Sequence, residues 1–174
     1  IDPDGIEAAL AHVATTLVRG LRDAFEETYR AHRRPRGPYA PSPAQAGARS
    51  LANLCLRYLG TLDDERAHAL ALRQFETADN LTDAIGALAA LRDSDKPVRA
   101  DLYARFEARW RDEPLVLDKW FALQAKSLRP DTLETVRGLV AHPRFNARNP
   151  NRVRSLVGAF ALGNFARFNA RDGA

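Results

Sequence analysis

The sequence predicts an all-α fold, arranged as antiparallel helix pairs stacked in a HEAT- or armadillo-like α-solenoid. Three observations predict it. Apolar residues recur at three- and four-residue steps through most of the 174 positions. No alternating strand pattern persists for long. Caps and prolines mark out helices of roughly 12 to 16 residues joined by short turns, the punctuation of stacked helix pairs. No crisp repeat signature accompanies them, and a compact helical bundle satisfies the same periodicity.

The elements follow in order. Asp2 caps a first helix that has Pro3 in its opening turn. Ile6, Leu10, Val13, Leu17, Leu21 and Phe25 then share one of its faces. The stretch Arg30–Pro43 holds four prolines and four arginines, and residues 32–46 read as a mobile loop. A second helix turns Leu51, Leu54, Cys55, Tyr58 and Leu59 inward and stops at Gly60. Asp63 or Asp64 starts the next, through Leu70 and Phe75. Asn80 caps another, with Leu81, Ile85, Leu88 and Leu91 inward.

Asp95 and Pro97 begin a helix striped by Leu102, Phe106 and Trp110. Pro114 opens one carrying Val116, Leu117, Trp120, Phe121 and Leu123. Asp131 and Glu134 have capping-box spacing ahead of Leu133, Val136 and Val140, and Pro143 stops that helix. Asn149 and Pro150 start the last, with Val153, Leu156, Val157 and Phe160 inward and its end near Leu162.

Composition bounds the function. A hydrophobic content of 45% supports a sizeable core, and residues 1–174 fit one domain. The net charge is +4, and among the 26 basic residues only Lys96, Lys119 and Lys126 are lysines. Such an arginine excess can be a compositional habit, so it argues only weakly for nucleic acid. Cys55 is the one cysteine and lies between two leucines, so it reads as a buried, inert thiol and fits a cytoplasmic setting. No segment has the length of a membrane span, and no charged and apolar leader opens the chain. The chain has no methionine and begins Ile1-Asp2-Pro3, which predicts a piece of a longer polypeptide.

Catalytic signatures are missing. None of the four histidines is followed by Glu, so the His-Glu-x-x-His zinc motif is absent, and one cysteine makes no thiolate cluster. There is no Walker A loop, no nucleophile elbow and no dinucleotide loop. Asp63-Asp64 and Asp93/Asp95 sit at helix starts, where capping explains them. Trp110 and Trp120 read as core residues, and Asp118 with Lys119 reads as an ion pair at a helix contact.

One stretch stands out. Seven arginines lie from Arg137 to Arg171 with no Asp or Glu among them. Asn149, Asn151, Arg152 and Arg154 concentrate at the turn that opens the last helix. Such a turn suits an anionic group or a partner domain, while a solvated loop, or arginines capping helix carbonyls within the domain, accounts for it equally well. Phe145, Phe165 and Phe168 interleave with Arg144, Arg148, Arg167 and Arg171, a pattern compatible with phosphate contacts and base stacking, though no nucleic-acid motif appears.

Several ordered segments carry a resemblance. Asn149-Pro150-Asn151-Arg152-Val153-Arg154-Ser155-Leu156 followed by Gly158-Ala159-Phe160 resembles the C-terminal helical domain of the bacterial aminopeptidase N family. So do Gln74-Phe75 with Asn80-Leu81-Thr82-Asp83-Ala84, Val116-Leu117-Asp118-Lys119-Trp120-Phe121, and Leu133-Glu134-Thr135-Val136-Arg137-Gly138-Leu139. The similarity runs from about Asp2 to Asp172 and is poorest over the Arg30–Ala48 loop.

The resemblance implies a fragment of a zinc metallo-aminopeptidase that removes N-terminal residues from peptides through a zinc-activated water. It places zinc, the His-Glu-x-x-His helix and a Gly-x-Met-Glu-Asn loop in an upstream catalytic domain of the same polypeptide. It implies further helices beyond Ala174. This chain would then carry no catalytic or metal residue and no cofactor of its own, and would be inert alone. Its implied role is to close a chamber over the active site and limit access to peptides. Asn149, Asn151, Arg152 and Arg154 are the candidates for contact with the catalytic domain or the chamber. The alternative is an independent helical-repeat scaffold that binds protein or nucleic acid; no membrane is implied, and nucleic acid is the less favoured partner.

Overall fold

A computed structural model describes residues 2–33 and 39–170. Every regular element among them is helical: α1 (Pro3–Gly20), α2 (Arg22–His32), α3 (Pro43–Gly60), α4 (Glu65–Thr77), α5 (Leu81–Ala90), α6 (Pro97–Trp110), α7 (Pro114–Ala125), α8 (Thr132–Val140), α9 (Pro150–Val153), a π-helical turn (Arg154–Gly158), α10 (Ala159–Gly163) and α11 (Phe165–Phe168). No described helix is long and apolar enough to cross a membrane. The chain divides into two compact units, Ala9–Leu102, and Tyr103–Ala174 joined by Ile1–Ala8.

In the Ala9–Leu102 unit, α3 packs on α2, α4 and α5. Leu56, Leu59, Ala71, Ala87 and Leu88 are buried there. Gly60 is the last residue of α3, and its missing side chain lets the Ala90 carbonyl at the end of α5 come close, where a Cβ would project. The start of α4 is fixed by Asp64, whose side chain accepts from the Ala67 amide at 2.9 Å. Asn80 does the same for α5, accepting from the Asp83 amide at 3.0 Å.

A charge clasp ties α2 to α4. The fully buried Glu26 carboxylate takes Arg22 at 3.1 Å, Arg66 at 2.7 Å, and also Arg30. Arg22 reaches on to both oxygens of Asp64, at 2.6 and 3.0 Å. That two-point contact holds the Asp64 carboxyl below its ordinary range and raises the Arg22 guanidinium above its own. Burial pushes the Cys55 thiol up.

In the other unit, α7 packs against α8, the π turn and α10. Leu117, Phe121 and Leu156 are buried. The Trp120 indole donates to the Tyr103 carbonyl at 3.0 Å, so its one polar atom is satisfied inside the core. The Asn164 amide donates to the Ala125 and Ser127 carbonyls, at 3.0 and 2.6 Å, fixing the start of α11.

Several expectations need correction. The first helix breaks at Leu21 (φ −121, ψ 24), one residue after Gly20, whose low helix propensity suits a break. Its stripe stays exposed at Ile6, Leu10, Val13, Leu17 and Leu21, and Val18 is the buried residue of α1. The loop expected over 32–46 ends early. Ser42 caps α3 by accepting from the Gln45 amide at 3.3 Å with Pro43 in the first turn, so 43–46 are helical. Residues 34–38 of that loop lie outside the described residues.

On α3 the inward face is Arg49, Ala52, Cys55, Leu56 and Leu59, while Leu51 and Leu54 are exposed. Val140 and Val157 are exposed as well. The capping box at Asp131 does not form, because both its carboxylate oxygens are taken by the Arg129 guanidinium at 2.9 and 2.7 Å. The last helix is interrupted by the π turn at Arg154–Gly158 rather than running evenly to Leu162.

Candidate functional site

The Asn149–Arg154 turn forms as a capped helix start. The Asn149 side chain accepts from the Asn151 and Arg152 amides, at 3.0 and 3.4 Å, and Pro150 occupies the first helical position. Asn146 supports the approach by accepting from the Arg148 amide at 2.9 Å. Asn151 Oδ1 accepts from Arg154 Nη1 at 3.3 Å, which keeps Arg154 on the exposed side of the turn.

The arginines of this region have different fates in space. Arg152 is buried, at 4% exposure. Its Nη1 lies 3.0 Å from Asp118 Oδ1, its Nη2 donates to the Pro114 carbonyl at 3.2 Å, and its guanidinium lies 5.0 Å from the centre of the Phe121 ring. Ser155 completes the set by donating to the same Asp118 oxygen at 3.0 Å. Asp118 therefore pairs with Arg152, not with its neighbour Lys119. Arg144 is met by Asp112 at 2.6 Å, and Arg167 donates to the Leu128 carbonyl at 2.8 Å.

The stretch that lacks carboxylates along the chain is thus partly neutralised in space by acids placed at and just before α7. Arg148 and Arg154 remain as exposed cations at the turn, beside the amides of Asn146 and Asn151. Arg171 lies outside the described residues. Phe145 and His142 pack edge-on against Phe121, with ring centres 6.1 and 5.5 Å away. Phe165 and Phe168 are exposed.

A second polar assembly lies wholly in the Ala9–Leu102 unit. Asn53 on α3 donates to Asp83 Oδ1 at 3.0 Å and accepts from Gln74 Nε2 at 2.7 Å. Gln74 also donates to the Asp83 carbonyl at 2.8 Å, and Asn80 Nδ2 donates to Asp83 Oδ2 at 2.8 Å. Gly86 permits this approach, because a Cβ there would collide with the Asn53 side chain. The motifs Gln74-Phe75 and Asn80–Ala84 therefore meet on Asn53. Gln74, Asn80 and Asp83 border a cavity of about 290 Å³ that Arg33, Tyr39 and Arg49 also line.

Sequence reasoning missed Arg49 and Asn53. The available signal was their spacing: they fall at four-residue steps ahead of Arg57, but Arg49, Asn53 and Leu56 share the inward side of α3. No group of three His, Cys, Asp or Glu among the described residues is arranged to hold a metal ion.

Residues 1–174 match the family model described as a domain of unknown function (DUF3458_C) with ARM repeats. The chain belongs to this family. Its ARM-repeat domain is homologous to bacterial aminopeptidase N. It is 40% identical over 173 residues to aminopeptidase N of Escherichia coli strain K12, a match covering 99% of this chain and 20% of that protein. Aminopeptidase N of Haemophilus influenzae is 39% identical over 173 residues, covering 99% of this chain and 19% of that protein. Among solved structures, a crystal structure of Legionella pneumophila aminopeptidase A in complex with aspartic acid superposes with a TM-score of 0.82 at 26% identity, over 95% of this chain and 20% of that one. The ARM-repeat domain spans about a fifth of the length of these relatives.

Proposed function

We propose that this ARM-repeat domain is the non-catalytic C-terminal part of a zinc metallo-aminopeptidase, working in the cytoplasm to close the substrate chamber and limit it to peptides. The observation that carries this reading is the match over 99% of the chain to a fifth of aminopeptidase N. Zinc does not fit the described side chains, which offer no three-ligand cluster. The proposal therefore seats the metal, and the water it activates, in a catalytic domain elsewhere in the same polypeptide.

Within the proposal, the exposed side of the Asn149–Arg154 turn meets that catalytic domain or the peptide. Arg154 with Arg148 offers positive charge, Asn151 orients Arg154, and Asn149 and Arg152 hold the turn in shape. Support comes from the contrast in their surroundings: Arg152 is consumed by Asp118, whereas Arg148 and Arg154 are exposed.

Two experiments test this. The open reading frame containing Ile1 should encode a His-Glu-x-x-His segment upstream in the same frame; a frame without one overturns the proposal. In the whole enzyme, Arg148→Glu with Arg154→Glu should lower kcat/KM for a decapeptide more than for an aminoacyl p-nitroanilide, or weaken the domain contact seen by limited proteolysis. Unchanged kinetics on both substrates together with an unchanged cleavage pattern overturns the role given to the turn.

A further inference from the structure

Arg49 is the starting point. It is 6% exposed, on the inward face of α3. Its Nη1 donates to Gln45 Oε1 at 3.2 Å, and its guanidinium stands 4.9 Å from the centre of the Tyr39 ring. Among the described residues no carboxylate pairs with it. A buried guanidinium without a counter-ion is costly, because an amide oxygen and a ring face return only part of the lost hydration. Arg33, on the same cavity, likewise donates to a neutral group, Thr77 Oγ1, at 2.9 Å.

Acceptors line the same cavity. Gln74 is 4% exposed; among the described residues both its side-chain hydrogen bonds use Nε2, and its Oε1 accepts nothing. Asp79 and Asp83 line the cavity without pairing to either arginine, since Asp83 is held by the Asn53 and Asn80 amides and Asp79 by Asn80. Two cations and several acceptors on one cavity favour a ligand with one negative and one positive end. A multiply charged phosphate would be repelled by the aspartates. The volume of about 290 Å³ lies at the lower end of small-ligand sites.

We propose that the cavity between α3, α4 and the start of α5 binds a free α-amino acid, whose α-carboxylate makes a two-point contact with Arg49 and whose ammonium faces Gln74 Oε1 and Asp79. A planar guanidinium is suited to this contact, with two parallel N–H donors to two carboxylate oxygens. The site is separate from the Asn149–Arg154 turn and does not depend on the role proposed for it.

The test is calorimetric titration of the 174-residue chain with L-leucine, L-leucinamide and inorganic phosphate. Helical circular dichroism serves as the check that each variant is folded. Leucine should bind, leucinamide (which lacks the carboxylate) should bind at least about tenfold more weakly, and phosphate should not compete. Arg49→Gln should weaken leucine at least about tenfold, and Arg49→Lys, which keeps the charge but loses the fork, should weaken it as well. Asp79→Asn should weaken leucine, and unchanged leucine affinity in that variant overturns the place given to the ammonium. Failure of leucine to bind the folded chain, equal affinity for leucine and leucinamide, or unchanged binding in a folded Arg49 variant overturns the proposal. Binding of phosphate in preference to leucine overturns it too.

Discussion

Among the described residues, each unit of the molecule buries one arginine, and the two are treated differently. Arg152 has Asp118 at 3.0 Å, a backbone carbonyl and an aromatic ring around it. Arg49 has a ring and a single amide oxygen. The first arginine is a strut between the start of α9 and α7, with its charge cancelled where it stands. The second keeps its charge uncancelled beside an open cavity. Burial alone therefore says little about what an arginine is for; the counter-ion decides.

The comparison is most sharply broken by removing the counter-ion. Asp118→Ala leaves Arg152 buried and unpaired, and should cost about 3–5 kcal/mol in urea unfolding. Adding Arg152→Met to that variant should recover part of the loss, and a purely additive double mutant would refute the pairing as the cause. Arg49→Met, in contrast, should change stability by about 1 kcal/mol or less, or raise it, because the charge it removes has no partner to orphan. A loss as large as that of Asp118→Ala would erase the distinction between the two arginines. Smaller still, Arg148→Ala and Arg154→Ala should each stay within about 0.5 kcal/mol of the parent in the same measurement, as exposed positions do.

The smallest effect tests the charge clasp of α2 and α4. Arg22 holds the Asp64 carboxyl below its ordinary range, so the carboxylate stabilises the fold fully above the unfolded value of about 4. That contribution fades as pH falls through the lower folded value. The urea midpoint of the parent should therefore decline more steeply than that of Asp64→Asn between about pH 5 and pH 2. Parallel declines would show that Asp64 has no part in acid sensitivity.

Much of the fold was legible in the sequence, and what was legible was local. Asn80 and Asn149 announce their caps because an N-cap needs only a short polar side chain and the next few amides. Asp131 shows the limit of that logic: its spacing to Glu134 was right, but Arg129 two residues earlier took the carboxylate. Helix phase was less legible where a helix lacks a partner on one side. The stripe of α1 has ideal spacing and stays exposed, and Leu51 and Leu54 lost the inward face of α3 to Arg49, Ala52 and Leu56.

The candidate turn was visible as a run of arginines and asparagines. Its charge balance was not, since Asp112 and Asp118 lie more than thirty positions from the arginines they meet. The polar cavity was half visible. Gln74, Asn80 and Asp83 stood out as motif residues, while Arg49 and Asn53 were hidden inside a helix judged by its leucines.

Cys55 gives the molecule a built-in clock. It is the sole sulfur atom in a chain without methionine, it is buried on α3, and its thiol is held in the unreactive, protonated form by that burial. Alkylation by iodoacetamide can proceed only when the α2–α5 packing opens, so one mass increment, followed in time, counts the breathing of the amino-acid cavity's own walls and should slow when that cavity is filled.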